Sequence, residues 1–100
     1  MLSSHPSMTI RLADDFGSVL AGRTRATRFR EGVEQRAREG AVVLDFEGIT
    51  TVSPSFADEL FAKMDPSLLD QGTIRFEHLG AGIAAIADYV IAARQRGAVS

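Results

Sequence analysis

The sequence predicts a small α/β domain of (βα)n type, with a mostly parallel sheet and three main helices. Two observations carry that expectation. Stretches with a period of two alternate with stretches stepping by three or four, in the order strand, helix, strand, helix, strand, helix. The middle strand is a continuous apolar run whose length and β-branched content favour a central position. Alternation of this kind favours parallel neighbours joined by right-handed crossovers.

Each element follows from the residues in turn. Residues 1–7 are polar, include a proline, and read as a flexible N-terminal tail; residues 8–100 read as one domain. In "MTIRL", Met8, Ile10 and Leu12 share one side of a strand, and "ADDFG" breaks the pattern. From Ser18 or Thr24 to Glu39, apolar Ala26, Phe29, Val33 and Ala37 mark one face of a helix. Either hydroxyl is a possible cap for its start, and Gly40 suits its C-terminal stop. "AVVLDF" at 41–46 is the central strand. A second helix starts near Pro54, with Phe56, Leu60, Phe61 and Met64 on its apolar face and Asp58, Glu59 and Lys63 off it. Asp65-Pro66 ends it, because a residue before proline avoids helical dihedrals. "DPSLLDQG" is a turn or a short helical piece. "TIRFEHL" buries Ile74 and Phe76 and exposes Arg75 and Glu77. The last helix, from about Gly82 to Arg96, turns Ile83, Ile86 and Val90 inward, with Gly97 as its stop.

Bulk composition narrows the function. The chain has 100 residues, 45% of them apolar, which is enough for one core without staples. Without cysteine, disulfides, thiolate metal sites and thiol catalysis are excluded, and a reducing cytosol is the expected setting. A net charge of −2 gives no global field for nucleic acid or anionic lipid. The start lacks the basic head and apolar stretch of a secretory signal, and no apolar run is of membrane-spanning length. A cytoplasmic location is expected.

The junction at Ser53-Pro54-Ser55 is the most informative stretch. Ser53 suits an N-cap, Pro54 the first helical position, and Asp58 and Glu59 sit early in the helix where its dipole favours acids. A strand end, a polar turn and a helix start also suit an anion or nucleotide. However, the glycine-rich phosphate loops are absent. A serine nucleophile needs a base and an orienting acid, and the only histidines are His5 in the tail and His78 after the third strand. No enzymatic activity is expected.

"VVLDFEGITTVSPSFADELF" resembles the core signature of STAS domains, the module of sulphate transporters and bacterial anti-sigma factor antagonists. Asp45-Phe46 falls on the strand end, Ile49 and Val52 on the apolar turn positions, and Ser53-Pro54-Ser55-Phe56 on the family's D-S-S-G. The similarity is closer to a STAS-like family of unknown function, whose pattern "RFREGV" and "IRFEHLG" also fit; it extends over about residues 8–96. The resemblance implies a regulatory protein-interaction module with a histidine-kinase-like ATPase or an anti-sigma-type protein as partner. In the antagonists the first serine of D-S-S-G accepts phosphate. Here that position is Pro54, so the usual phosphoswitch does not carry over, and Ser53 and Ser55 remain as candidate phosphorylation sites.

Two charged groups complete the reading. Arg23, Arg25, Arg28, Arg30, Arg36 and Arg38 crowd the first helix, with Glu31 and Glu34 among them, and read as a solvated face rather than a nucleic-acid surface. Arg23 and Arg25, at the helix start where positive charge is unfavourable, point to a salt bridge or a partner. Asp45, Glu47, Asp58 and Glu59 form an acidic corner without any metal-binding loop, so no metal or other cofactor is expected. The face at 52–64 is the expected docking surface, with Ser53, Ser55, Asp58 and Glu59 at its rim. Two alternatives are a small-molecule, nucleotide or anion site at the Ser53–Ser55 helix start, and a self-associating domain. In the latter, Ile10, Ile74 and Phe76 would form a homodimer across an uncovered sheet face.

Overall fold

Three short parallel strands form the main sheet, and their order places the helices that connect them. The computed structural model describes residues 7–99, with side chains as far as residue 93. The strands are β1 (Met8–Arg11), β3 (Val42–Asp45) and β5 (Ile74–Glu77), in the order β1-β3-β5. Thr9 pairs in register with Val43, and Val43 with Arg75. Both crossovers step in the same direction across the sheet. Right-handed connections therefore deliver their helices to one face and leave the other open.

The first crossover contains α1 (Leu12–Phe16), β2 (Val19–Leu20) and α2 (Arg23–Ala37). The second contains β4 (Thr51–Val52), α3 (Pro54–Ala57), a π-helical turn at Asp58–Ala62 and α4 (Pro66–Asp70); α5 (Gly80–Val99) follows β5. β2 and β4 form a second, two-residue parallel pair with Leu20 opposite Val52. The π turn is an insertion into one continuous helix, marked by Lys63 N–H donating to Asp58 O at 3.1 Å, five residues back.

The covered face holds the core. Val42, Leu44 and Ile74 are buried there, joined by Leu12, Leu20, Val33, Phe46, Phe56, Leu60, Phe61 and Met64. Two aromatic groups bind the layers. Phe61 meets Phe76 edge-on at 5.1 Å and stacks with Phe46 at 5.8 Å. Phe16 meets Phe29 and Phe56 edge-on, at 5.4 Å each, tying α1 to α2 and α3. Such pairs add about 0.5–1.5 kcal/mol beyond the area they bury.

The open face does not carry the residues named for a two-fold contact. Ile74 is buried, and half-buried Ile10 and Phe76 pack against the core. They belong to the helix-covered side. By strand alternation the uncovered side carries Thr9, Arg11, Val43, Asp45, Arg75 and Glu77.

Other differences are local. β1 stops at Arg11, so Leu12 reaches the core from α1 instead of from the strand, and Met8 is 41% exposed. α2 starts at Arg23 behind Gly22, whose φ of 96° requires glycine; neither Ser18 nor Thr24 caps it. Gly40 lies beyond the end of α2 and is absent from the positive-φ glycines. α5 runs through Gly97, and Ala87 takes the inward place expected of Ile86, which is 38% exposed. The tail expectation for residues 1–6 lies outside the described residues.

Candidate functional site

The Ser53–Ser55 junction is held from below by the small second sheet. Ser53 N–H donates to Leu20 O at 2.8 Å, and Thr50 N–H donates to Ser18 O at 2.8 Å. Ser53 is extended, with φ −71° and ψ 155°, and its Oγ accepts the Phe56 N–H at 3.2 Å. Pro54 follows at the first helical position, where no N–H is needed. Ser53 is thus the helix cap that its residue type requires. Pro54 is exposed, while Ser53, Ser55 and Asp58 are partly exposed; Phe56 and Ala57 behind them are fully buried. Thr51 and Val19, from the paired strands, also face solvent beside this turn.

Glu59 is the one rim residue the structure moves. It is 3% exposed, and its carboxylate is surrounded by donors. Oε1 accepts from Lys63 Nζ at 2.7 Å and Arg23 Nη1 at 2.8 Å; Oε2 accepts from the Thr27 hydroxyl at 3.0 Å. Arg30 Nη2 stands 4.0 Å from Oε2. The ammonium of Lys63, with Arg23 and Thr27 in support, outweighs burial and holds the Glu59 carboxyl down at about 2. Its role is to lock the second crossover helix onto α2. The reason for the misplacement is geometric: Glu59 lies three residues after Phe56, on the flank that α2 covers with cations. Its sequence signal was present in the i,i+4 pairing with Lys63.

The arginines divide by use. Arg23 joins Glu59 and, at 3.4 Å, Asp58; these carboxylates raise its pKa further, Glu59 most. The acids neutralise a cation that the helix dipole disfavours at that position. Arg25 lies over the Phe16 ring, 4.7 Å from its centroid. Arg30 pairs with Glu34 at 2.9 Å. Arg28, Arg36 and Arg38 remain at the surface.

The expected acidic corner separates into two groups. Asp58 and Glu59 belong to the helix pair just described. Asp45 and Glu47 lie at the end of the sheet, where Asp45 Oδ1 accepts the Glu47 N–H at 2.9 Å and contacts His78 Nδ1 at 2.8 Å. The backbone N–H of Glu47, then His78, keep the Asp45 carboxyl below its ordinary value. The same contact with Asp45 raises His78 above its usual pKa. His78 also adopts φ 57°, an uncommon left-handed conformation outside glycine, which the Asp45 contact helps to fix. His78 follows the third strand in the sequence, but no local pattern there signals its pairing with Asp45. Among the described residues, no group of three His, Cys, Asp or Glu is arranged to hold a metal ion.

A family model described as a STAS-like domain of unknown function matches residues 25–64. That span takes in most of α2, strands β3 and β4, the Ser53–Ser55 junction and the π turn. The mixed α/β architecture, with five α-helices among the described residues and a mostly parallel sheet, is compatible with a small STAS-like domain. No curated protein and no solved structure matches the chain. No described helix is long and apolar enough to cross a membrane.

Proposed function

We propose that this STAS-like chain is a non-enzymatic regulatory module that docks a protein partner through the start of its second crossover helix. The observation that carries the reading is the accessible Ser53-Pro54-Ser55 turn, pinned to a rigid base, within the STAS-like match. Ser53 Oγ is engaged as a cap, and Glu59 is saturated by its own cations. What remains for recognition is Pro54, Ser55 and Asp58, with Thr51 and Val19 beside them. A preformed surface of this kind loses little conformational freedom on binding. A histidine-kinase-like ATPase or an anti-sigma-type protein is the partner class, on the strength of the family resemblance.

Ser55 is the candidate phosphoacceptor in place of Pro54. A phosphate in the first helical turn is electrostatically favourable there, and its oxygens would add acceptors at the docking surface. Phosphorylation at Ser53 would instead displace the cap it provides to Phe56 N–H.

The test is affinity capture from a native cytosol with the wild-type chain and with Asp58→Arg, followed by titration of the purified partner. Retention of a regulatory protein by wild type, and its loss from the variant, supports the reading. Equal recovery on both baits rejects it.

A further inference from the structure

Beyond the helix junction, we propose a second docking site: the free edge of β1 takes an extended acidic peptide segment as a fourth strand, clamped under α2. β1 is an edge of the three-stranded sheet. Met8 N–H donates to Ala41 O at 2.9 Å, so in a parallel ladder the alternate residues turn their backbone groups outward. Thr9 N–H, Thr9 C=O and Arg11 N–H point off that edge, and none takes another backbone partner among the described residues. Alongside runs a groove of about 440 Å³ between β1 and α2, floored by Ile10, Phe29 and Val33.

The α2 wall of the groove has an unexplained feature. Gly32 sits in the middle of a fifteen-residue helix, where glycine is disfavoured. Nothing among the described residues requires it: its φ is not positive, and a Cβ there would meet no atom within 4 Å. The missing side chain leaves a notch that faces the strand edge. Arg28 and Arg36 stand one turn before and one turn after it, both exposed and both lining the groove. Neither has a carboxylate at ion-pair distance among the described residues; Arg36 Nη1 reaches only Met8 Sδ, at 3.5 Å.

The spacing specifies the ligand. Eight helical residues separate the two arginines by about 12 Å. Four strand residues span about 13 Å, with their side chains on one face. An added strand therefore presents acids at positions i and i+4 to Arg36 and Arg28, and an apolar residue at i+2 to the Gly32 notch and the Phe29–Val33 floor. Asp14 and Asp15 lie at the Arg11 end of the groove and disfavour a third acid there. Charge selects this occupant over two others. The chain's residues 1–6, Met-Leu-Ser-Ser-His-Pro, contain no carboxylate. A second copy would bring Arg11, Arg28 and Arg36 with only Asp14 and Asp15 against them, a net positive lining, to the seam.

The test is an NMR titration of the ¹⁵N-labelled full chain with the blocked peptide Thr-Glu-Thr-Val-Thr-Glu-Thr and with its twin carrying lysine for both glutamates. Saturable shifts are expected at the Thr9 and Arg11 amides with the acidic peptide alone. Arg28→Glu/Arg36→Glu should weaken binding by roughly tenfold or more. Gly32→Leu should abolish binding while its melting temperature is no lower than wild type, because leucine is the better helix former. Absence of shifts at millimolar peptide, equal response to the lysine peptide, or undiminished binding by Gly32→Leu overturns the proposal. A molecular mass that doubles with concentration, together with altered β1 amides, assigns the edge to a second copy instead.

Discussion

Replacing Glu59 by glutamine keeps the side chain's shape and removes the one charge that gathers Lys63, Arg23, Thr27 and Arg30. The depression from 4.5 to about 2, at 1.36 kcal/mol per pKa unit, sets a ceiling of about 3 kcal/mol. Arg23 and Lys63 reach solvent at their outer ends, so the variant can hydrate them, and about 2 kcal/mol is the expected loss. For a domain of this size, that lowers the melting temperature by about 8–16 °C. The sign with pH is fixed. A carboxyl whose folded pKa lies below its unfolded value stabilises fully above about 4.5, and the contribution fades as pH falls through about 2. Melts of wild type and Glu59→Gln by circular dichroism, from pH 7 to pH 2, should therefore converge at the acid end. Superimposable melts at pH 7, or a gap that persists unchanged to pH 2, would show that the Glu59 charge does not hold the two helices together.

Ser53→Ala should cost about 1 kcal/mol in urea unfolding through loss of the cap on Phe56 N–H, while Ser55→Ala should stay within about 0.5 kcal/mol. His78 should titrate above 6.5 in NMR, and Asp45→Asn should bring its midpoint back down. The stabilisation from that pair is fully present below pH 6.5 and is lost as pH rises through the raised value. Phe61→Ala should cost about 3–5 kcal/mol, because the ring is buried between Phe46 and Phe76; a loss under about 1 kcal/mol would contradict the packing.

The main sheet and principal helices were legible because their patterns are long or unambiguous. "VVLD" is buried at every position, as a central strand requires, and Ile74 to Glu77 alternate as read. The Ser53-Pro54 start of α3 was legible because cap and proline preferences are local backbone chemistry. What was missed depends on partners distant in sequence. β2 and β4 are two residues each, too short to carry a period, and exist only because Leu20 and Val52 meet across the fold. The role of Glu59 needed α2 to be placed against its flank before its burial made sense. Ile86 looked equivalent to Ile83 on a helical wheel, but the core extends along α5 by way of Ala87. The self-association alternative put Ile10, Ile74 and Phe76 on an uncovered face, but alternation alone does not say which side of a strand the crossovers cover.

The docking claim at the helix junction is tested most directly by hydrogen–deuterium exchange of the chain, alone and saturated with a captured regulatory partner. Slowed exchange across residues 51–58, with the Ser55 and Asp58 amides among the most protected, is the expected result. Protection confined to other segments, with 51–58 exchanging as in the free chain, would contradict it.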